Sequence, residues 1–140
     1  MSKIYVAGPW DFRNKAKEVA DKFEAAGHEI THKWWLHDAG VGGLADTEYH
    51  RQCAINDVNG VLNADVFYLL NLQERGKETS GKAVELGLAL AGQSFFSLDK
   101  WHNIKIFIEG PYTTNVFQLL NGVQWVTNVE EVIERLMEAN

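Results

Sequence analysis

With 140 residues, 46% of them hydrophobic and 23% charged, the chain has a globular composition and the length for one domain, 1–140, around a single core. A net charge of −6 without any basic run excludes a polymeric nucleic acid as partner, which would demand a cationic face, but not a small nucleotide, which needs only local donors. The single Cys53 rules out an internal disulfide and suits a reducing cytoplasm; no stretch reads as a signal peptide or is apolar for long enough to cross a bilayer, so no membrane partner is expected.

KIYVAG (3–8) is a β-rich run closed by Gly8 and Pro9 and predicts the first strand. Over 11–26 the residues Phe12, Ala16, Val19, Ala20 and Phe23 recur at helical spacing, with Asp11 as N-cap and Gly27 as terminator. HEITHKWW (28–35) alternates as a second strand does. The Gly-rich DAGVGGLAD (38–46) reads as a mobile loop, and 47–64 as a helix capped by Asp46 or Thr47. DVFYLLN (65–71) is nearly continuous in apolar residues, as a central parallel strand should be. A polar loop (73–81) leads into TSGKAVELGLALAGQ (79–93), a helix apolar on almost every side. SFFSLDKWH (94–102) fits either an extension of that helix or a loop. NIKIFIEG (103–110) gives a fourth strand, TTNVFQLL (113–120) a short helix, VQWV (123–126) a fifth strand, and NVEEVIERLMEA (128–139) a closing amphipathic helix.

This alternation predicts an α/β doubly wound sandwich, flavodoxin-like or Rossmann-like, whose five-stranded parallel sheet has the order 2-1-3-4-5. Such sheets bind ligands beyond the carboxyl ends of their strands, at the switch between strands 1 and 3. Loops 8–14, 33–46, 71–81 and 109–115 should therefore converge on one crevice.

Two carboxylates stand out, and Glu85 faces that crevice. Glu85 lies early in an otherwise apolar helix, where burying a charge is expensive. It either favours the helix dipole, behind Thr79 or Ser80 as N-cap, or serves as a nucleophile or acid on a pocket floor. Gly81, Ala83 and Gly87 leave room for a ligand in the second case, and apolar neighbours would shift its pKa. Asp57 sits among Ile55, Val58, Val61 and Leu62, near a buried helix face, or is simply solvated. Asp65 opens the third strand at the amino end of the sheet and reads as a turn or cap residue.

The order of these pieces resembles the nucleoside 2-deoxyribosyltransferase superfamily, which includes the 2′-deoxynucleoside 5′-phosphate N-hydrolases and short phage-type members. The resemblance rests on INDVNGVLNADVFYLL followed by TSGKAVELGLALAGQ, on the IYVAGPW start and on IFIEGPYTTNVFQLLNGVQWVTNVEEVIERL. Its most specific part is an Asp in the helix before strand 3, then a G-x-x-x-E-[LF]-G-x-A helix start. It covers nearly the whole chain, least well over 33–46 and 94–102.

The resemblance implies catalytic roles for three residues. Glu85 would attack the anomeric carbon, Asp57 would orient and protonate the departing base, and Tyr5 would lie near the sugar and the nucleophile. It implies substrate contacts from Gly8 and its neighbours Pro9, Trp10 and Arg13 in the first loop, and from Thr79, Ser80 and Gly81. At the place of Thr79 the nucleoside transferases carry an Asp that holds the sugar 5′-hydroxyl, and the nucleotide hydrolases a Ser on the 5′-phosphate. Thr79 and Ser80 at a helix start suit an anion better than a neutral hydroxyl. Arg13, Lys15, Lys77 and Lys82 would add charge or are ordinary surface cations. The first loop, GPWDFR, lacks the Ser of the hydrolases. Members are commonly homodimers or higher oligomers; the helix 47–64, with Tyr49, Cys53 and Ile55, offers a contact face. Asn140 would reach a neighbouring site, although the terminal Tyr of such relatives is missing.

Two carboxylates in these roles follow the pattern of retaining glycosidases. One traps the oxocarbenium-like sugar as an ester, the other assists the leaving base, and a second nucleobase or water completes the cycle. Neither route needs a metal or an organic cofactor. Tyr5 would crowd C2′ and favour deoxy sugars, and Trp10, Trp34 or Trp35 would stack on the base or serve as core. A nucleotide-binding module without turnover is the alternative of another class, against which the joint presence of Glu85, Asp57 and Tyr5 speaks. His32, His37 and Asp38 match no common metal-site spacing. There is no G-x-G-x-x-G, no G-x-S-x-G, and no His patterned with Cys53.

Overall fold

Five β-rich runs pair into one parallel sheet in the computed structural model, which describes residues 1–37, 47–72, 81–93, 103–110 and 116–139. The expectations placed on Asp38, Asp46, Lys77, Thr79, Ser80, Asn140 and the stretch 94–102 lie outside those residues. The strands are β1 (Lys3–Ala7), β2 (Glu29–Ile30), β3 (Val66–Leu70), β4 (Lys105–Glu109) and β5 (Val123–Val126), in the order β2-β1-β3-β4-β5. This is the doubly wound order expected from the alternation of elements. All five residues of β3 are buried, which explains its unbroken apolar run: it is central, with Tyr5 paired to Phe67 on one side and Leu69 to Ile108 on the other.

The helices are α1 (Arg13–Ala25), α2 (Thr47–Leu62), α3 (Gly81–Ala91) and α4 (Val129–Glu138). α1 packs with α4 on one face of the sheet, and α2 with α3 on the other. Strand alternation divides the aromatic core between these faces. Tyr68 meets Phe23 of α1 edge-on at 5.6 Å, while its neighbour Phe67 stacks on Tyr5 at 5.9 Å beneath α2 and α3. α4 buries Val129, Val132 and Leu136, and the Asn128 side chain caps it by accepting from the Glu131 N–H at 3.1 Å. Among the described residues no helix is long and apolar enough to cross a membrane.

Among the described residues, the bounds that differ most from expectation are those of α1 and β2, and the stretch expected as a short helix up to 120 is a 3-10 turn over Val116–Leu119. α1 starts at Arg13, and the residue before it is Phe12, which supplies no side-chain cap, so Asp11 is not its N-cap. Pro9, with φ fixed at −66°, closes a 3-10 turn over Trp10–Phe12 first, through a 3.0 Å bond from Phe12 N–H to the Pro9 carbonyl. β2 is two residues long rather than eight. Its edge of the ladder runs from Glu29 N–H to the Ser2 carbonyl and from Thr31 N–H to Ile4. The next acceptor on β1, the Val6 carbonyl, is taken at 2.6 Å by the indole N–H of Trp34 instead of a backbone amide. The chain leaves the sheet there, and a 3-10 turn forms over Trp34–Leu36. Asp65 acts as expected at the amino end: its Oδ2 accepts from Lys3 N–H at 2.9 Å and ties β1 to β3.

The packing of α2 on β1 depends on Gly60. A Cβ there would lie 2.8 Å from Cε2 of Tyr5 and 2.8 Å from Cβ of His32. Both are rigidly placed atoms, so neither neighbour yields cheaply. We expect Gly60→Ala to lower the urea midpoint at unchanged m-value, by the equivalent of about 1–3 kcal/mol. An unaltered midpoint would show that α2 does not sit this tightly on β1.

Candidate active site

Tyr5 is wholly inaccessible to solvent, at the central position of a five-residue strand, and a phenol buried that deeply needs a partner. Its hydroxyl donates to Oε1 of Glu85 at 2.8 Å. The meeting follows from topology: β1 and β3 are neighbours, and α3 follows β3 and returns across the face that Tyr5 occupies. Glu85 lies in the second turn of α3, half-buried, beside the inward stripe of Lys82, Leu86, Ala89 and Leu90. Ala83 and Gly87, read from sequence as making room around Glu85, face away. Both are exposed, and a Cβ on Gly87 would touch nothing within 4 Å.

Asp57 reaches the same place from α2, one turn before Gly60. Its side chain is half-buried, and its charge acts on both Tyr5 and Glu85. Two histidines close over it. His32 Nε2 stands 3.3 Å from Asp57 Oδ1, an ion-pair distance. The same Nε2 lies 3.0 Å from Nε2 of His37, and the two rings are 5.0 Å apart. Asp57 Oδ1 is shut off from solvent yet accepts no aligned hydrogen bond, because the His32 nitrogen nearest it is turned to His37. The sequence grouped His32 and His37 with Asp38; the fold brings them to Asp57. Nothing periodic announces this, since only the 3-10 turn Trp34–Leu36 folds the two rings together.

Electrostatics joins these groups. Burial pushes the Tyr5 phenol far above the usual tyrosine range, and the charges of Glu85 and Asp57 add to it. Tyr5 is therefore a hydrogen-bond donor and not a base. Burial pushes the Glu85 carboxyl up to about 8; the charge of Asp57 acts the same way, and the Tyr5 hydrogen bond opposes both. Burial holds His37 below the usual histidine range, with Asp57 opposing and His32 reinforcing. At neutral pH the resting Glu85 thus carries a proton, a condition suited to a carboxyl that ionises when a cationic group arrives.

The first loop follows β1 at the carboxyl end of the sheet. Gly8 ends β1 against β3, where a Cβ would come 3.2 Å from Cβ of Leu70. Pro9 is buried, and Trp10 is half-buried against Trp34 at 6.1 Å. The Arg13 guanidinium lies 4.9 Å over the Trp10 ring and donates to the Trp10 carbonyl at 3.3 Å, so a cation is held in place on this loop. Trp34 is a core residue: it is 7% exposed and its N–H is committed to β1, so it is not available to stack on a ligand. Trp35 packs edge-on against it at 5.7 Å and stays half-buried. Gly81 opens α3. Lys82 is buried on the inner side of that helix and is not a surface cation.

A sequence model of the family described as nucleoside 2-deoxyribosyltransferase matches residues 4–101. No curated protein matches the chain. Several solved structures share its fold, among them two enzymes. One is a 2-deoxyribosyltransferase from Bacillus psychrosaccharolyticus, at 18% identity and a TM-score of 0.60, covering 94% of this chain and 90% of that one. The other is the CMP N-glycosidase of Clostridium botulinum, at 13% identity and a TM-score of 0.54, covering 96% of this chain and 98% of that one. The family match takes in well over half of the sequence, from the first strand to beyond the third helix, and the chain belongs to the nucleoside 2-deoxyribosyltransferase family.

Proposed function

We propose that this protein cleaves the N-glycosidic bond of 2′-deoxynucleosides or their 5′-monophosphates through a glycosyl-enzyme on Glu85, and passes the deoxyribosyl group to another nucleobase. The observation that carries the reading is the Tyr5–Glu85 hydrogen bond, with Asp57 acting on the same two groups from the facing helix. As the bond to the base stretches, positive charge grows on the sugar, and an ionised Glu85 meets it from the opposite face and closes an ester to the anomeric carbon. Asp57 takes up the proton that Glu85 gives up, holds the departing base and passes that proton to it. The incoming base then attacks the ester and releases Glu85. Tyr5 aims the carboxylate and fills the space where a 2′-hydroxyl would lie. Neither a metal nor an organic cofactor enters this sequence. Exposed Ile55 on α2 and Val84 on α3 offer apolar surface on which copies would meet as a homodimer or higher oligomer.

A second reading takes water as the acceptor and a 5′-monophosphate as the substrate. Arg13, held rigidly on the first loop, favours it, as does the Thr79-Ser80 pair that precedes α3 in the sequence. The two separate in one experiment: deoxynucleosides and deoxynucleoside monophosphates are incubated with and without a free base, and products are followed by chromatography. Exchange that requires added base supports transfer, and base release from monophosphates alone supports hydrolysis. Tight binding with no turnover of any substrate would overturn both.

Glu85→Gln should reduce turnover by at least about three orders of magnitude, the scale on which loss of a covalent nucleophile is felt. The same variant tests the protonation state. Folded Glu85 keeps its proton up to about pH 8, whereas an unperturbed glutamate loses it near 4.5. Between those values the folded state holds more protons, so this residue's contribution to stability falls as pH rises. Glu85→Gln should therefore match the wild-type melting temperature in acid and exceed it increasingly toward pH 8. A constant difference across that range would contradict the raised pKa.

In the wild type, kcat/KM should climb with pH until Glu85 is ionised, near 8. Tyr5→Phe removes the one interaction that lowers this pKa. Its rising limb should move to higher pH, and kcat should fall about 10–100-fold, as expected for loss of a hydrogen bond to a charged group. A rising limb that stays in place would dissociate Tyr5 from Glu85 ionisation.

A further inference from the structure

His32, His37 and Asp57 place three ligand atoms within 4.8 Å of one another, all on half-buried side chains. We propose that this cluster is a binding site for a divalent transition-metal ion, with Zn2+ as its best-fitting occupant, and that the bound ion switches the active site off. The donor set of two imidazoles and one carboxylate is one that Zn2+ accepts, and it leaves a fourth position for water. The spacing fits as well. Zn2+ with bonds of about 2.0–2.1 Å sets its tetrahedral ligands about 3.3 Å apart. Here His32 Nε2 is 3.0 Å from His37 Nε2 and 3.3 Å from Asp57 Oδ1. Small rotations of His37 and Asp57 about their side-chain bonds close the remaining edge.

A second observation points to a ligand at this place. Asp57 Oδ1 is sequestered from solvent with no aligned donor, and a buried carboxylate oxygen is costly unless a donor or a cation faces it. The two imidazole nitrogens that flank it need one proton between them to stand 3.0 Å apart. A metal ion takes the place of that proton, and the ring that carried it at Nε2 carries it at Nδ1 instead, so no other group has to change charge. The ordinary alternative is a His–His hydrogen bond resting beside an aspartate, which would bind no metal. Binding does not depend on the proposed reaction. Its inhibitory effect does, because an Asp57 that ligates Zn2+ is no longer available to the leaving base.

The test uses the full chain, with Zn2+ measured by equilibrium dialysis and Co2+ as the spectroscopic probe. A single Zn2+ per chain and intense visible absorption from tetrahedral Co2+ are expected. Even groups that only support metal ligands are worth about 10–100-fold in affinity, so His37→Gln and Asp57→Asn should each weaken Zn2+ binding at least that much. His50→Gln, an exposed histidine on the same helix as Asp57, should leave it unchanged. Saturating Zn2+ should reduce turnover at least tenfold, and a chelator should restore it. A Co2+ spectrum no different from that of the free aqueous ion, or equal Zn2+ affinity in the wild type and both variants, would overturn the site. Binding without inhibition would leave the metal site standing and remove Asp57 from the proposed reaction.

Discussion

The structure turns on a phenol that cannot be left alone in the core. Tyr5 is buried completely within the sheet and needs a hydrogen-bond partner, and the partner comes from a helix that begins seventy-six residues later, at Gly81. Meeting that need fixes much else. β1 must lie beside β3 so that α3 can return over Tyr5, Phe67 must support the ring from below, and α2 must pass close enough that only a glycine fits at position 60. A hydrogen bond to a charged or ionisable group contributes about 1.5–3 kcal/mol net, but leaving either member unpaired costs its desolvation. The same contact that completes the core therefore holds an ionisable carboxyl in one rotamer at the mouth of the sheet.

The edge of the sheet has an equivalent economy. In an all-parallel sheet the carbonyls of β1 need donors along the whole strand. Glu29 and Thr31 supply the first two amides, and Trp34 supplies the third from its side chain. Because the indole does the work of an amide, the backbone is free to turn away after Ile30. That turn carries His32 and His37 over Asp57 and leaves Trp35 packed on the outside. A full-length edge strand would have held His32 and His37 in extended backbone, too far apart for their rings to meet.

These two arrangements were unequally legible in the amino-acid sequence. The continuous run VFYLL reads as a central strand, and with β3 in place the topology rule puts the start of α3 at the crevice with Glu85 on it. Asp57 stands out by its apolar helical neighbours and Tyr5 only by resemblance to a family motif, and the structure brings both to Glu85. What failed was local. HEITHKWW alternates like a strand, but alternation cannot report that a tryptophan side chain will substitute for the next backbone donor. Asp11 looks like an N-cap, but Pro9 two residues earlier commits the chain to a tighter turn first. The small residues Ala83 and Gly87 are close to Glu85 in sequence and on the wrong side of the helix in space. The His32–His37 pair had no signal, because a five-residue separation matches neither the strand nor the helix period.

The coupling of Asp57 to Glu85 gives the site a direction. The negative charge of Asp57 is one of the two causes that raise the Glu85 pKa, the other being burial. Whatever neutralises the charge of Asp57 removes one of the two causes that hold the proton on Glu85. In the proposed reaction the neutralising group is the base of the substrate, whose N–H donors or incoming proton occupy Asp57. Occupation of one end of the crevice thus prepares the carboxylate at the other, and Tyr5, bonded to Glu85 and exposed to the field of both acids, holds the geometry while the proton leaves. A ligand lacking a donor for Asp57 would leave Glu85 protonated and inert. On the proposed reaction, discrimination between ligands then begins with the ionisation of Glu85.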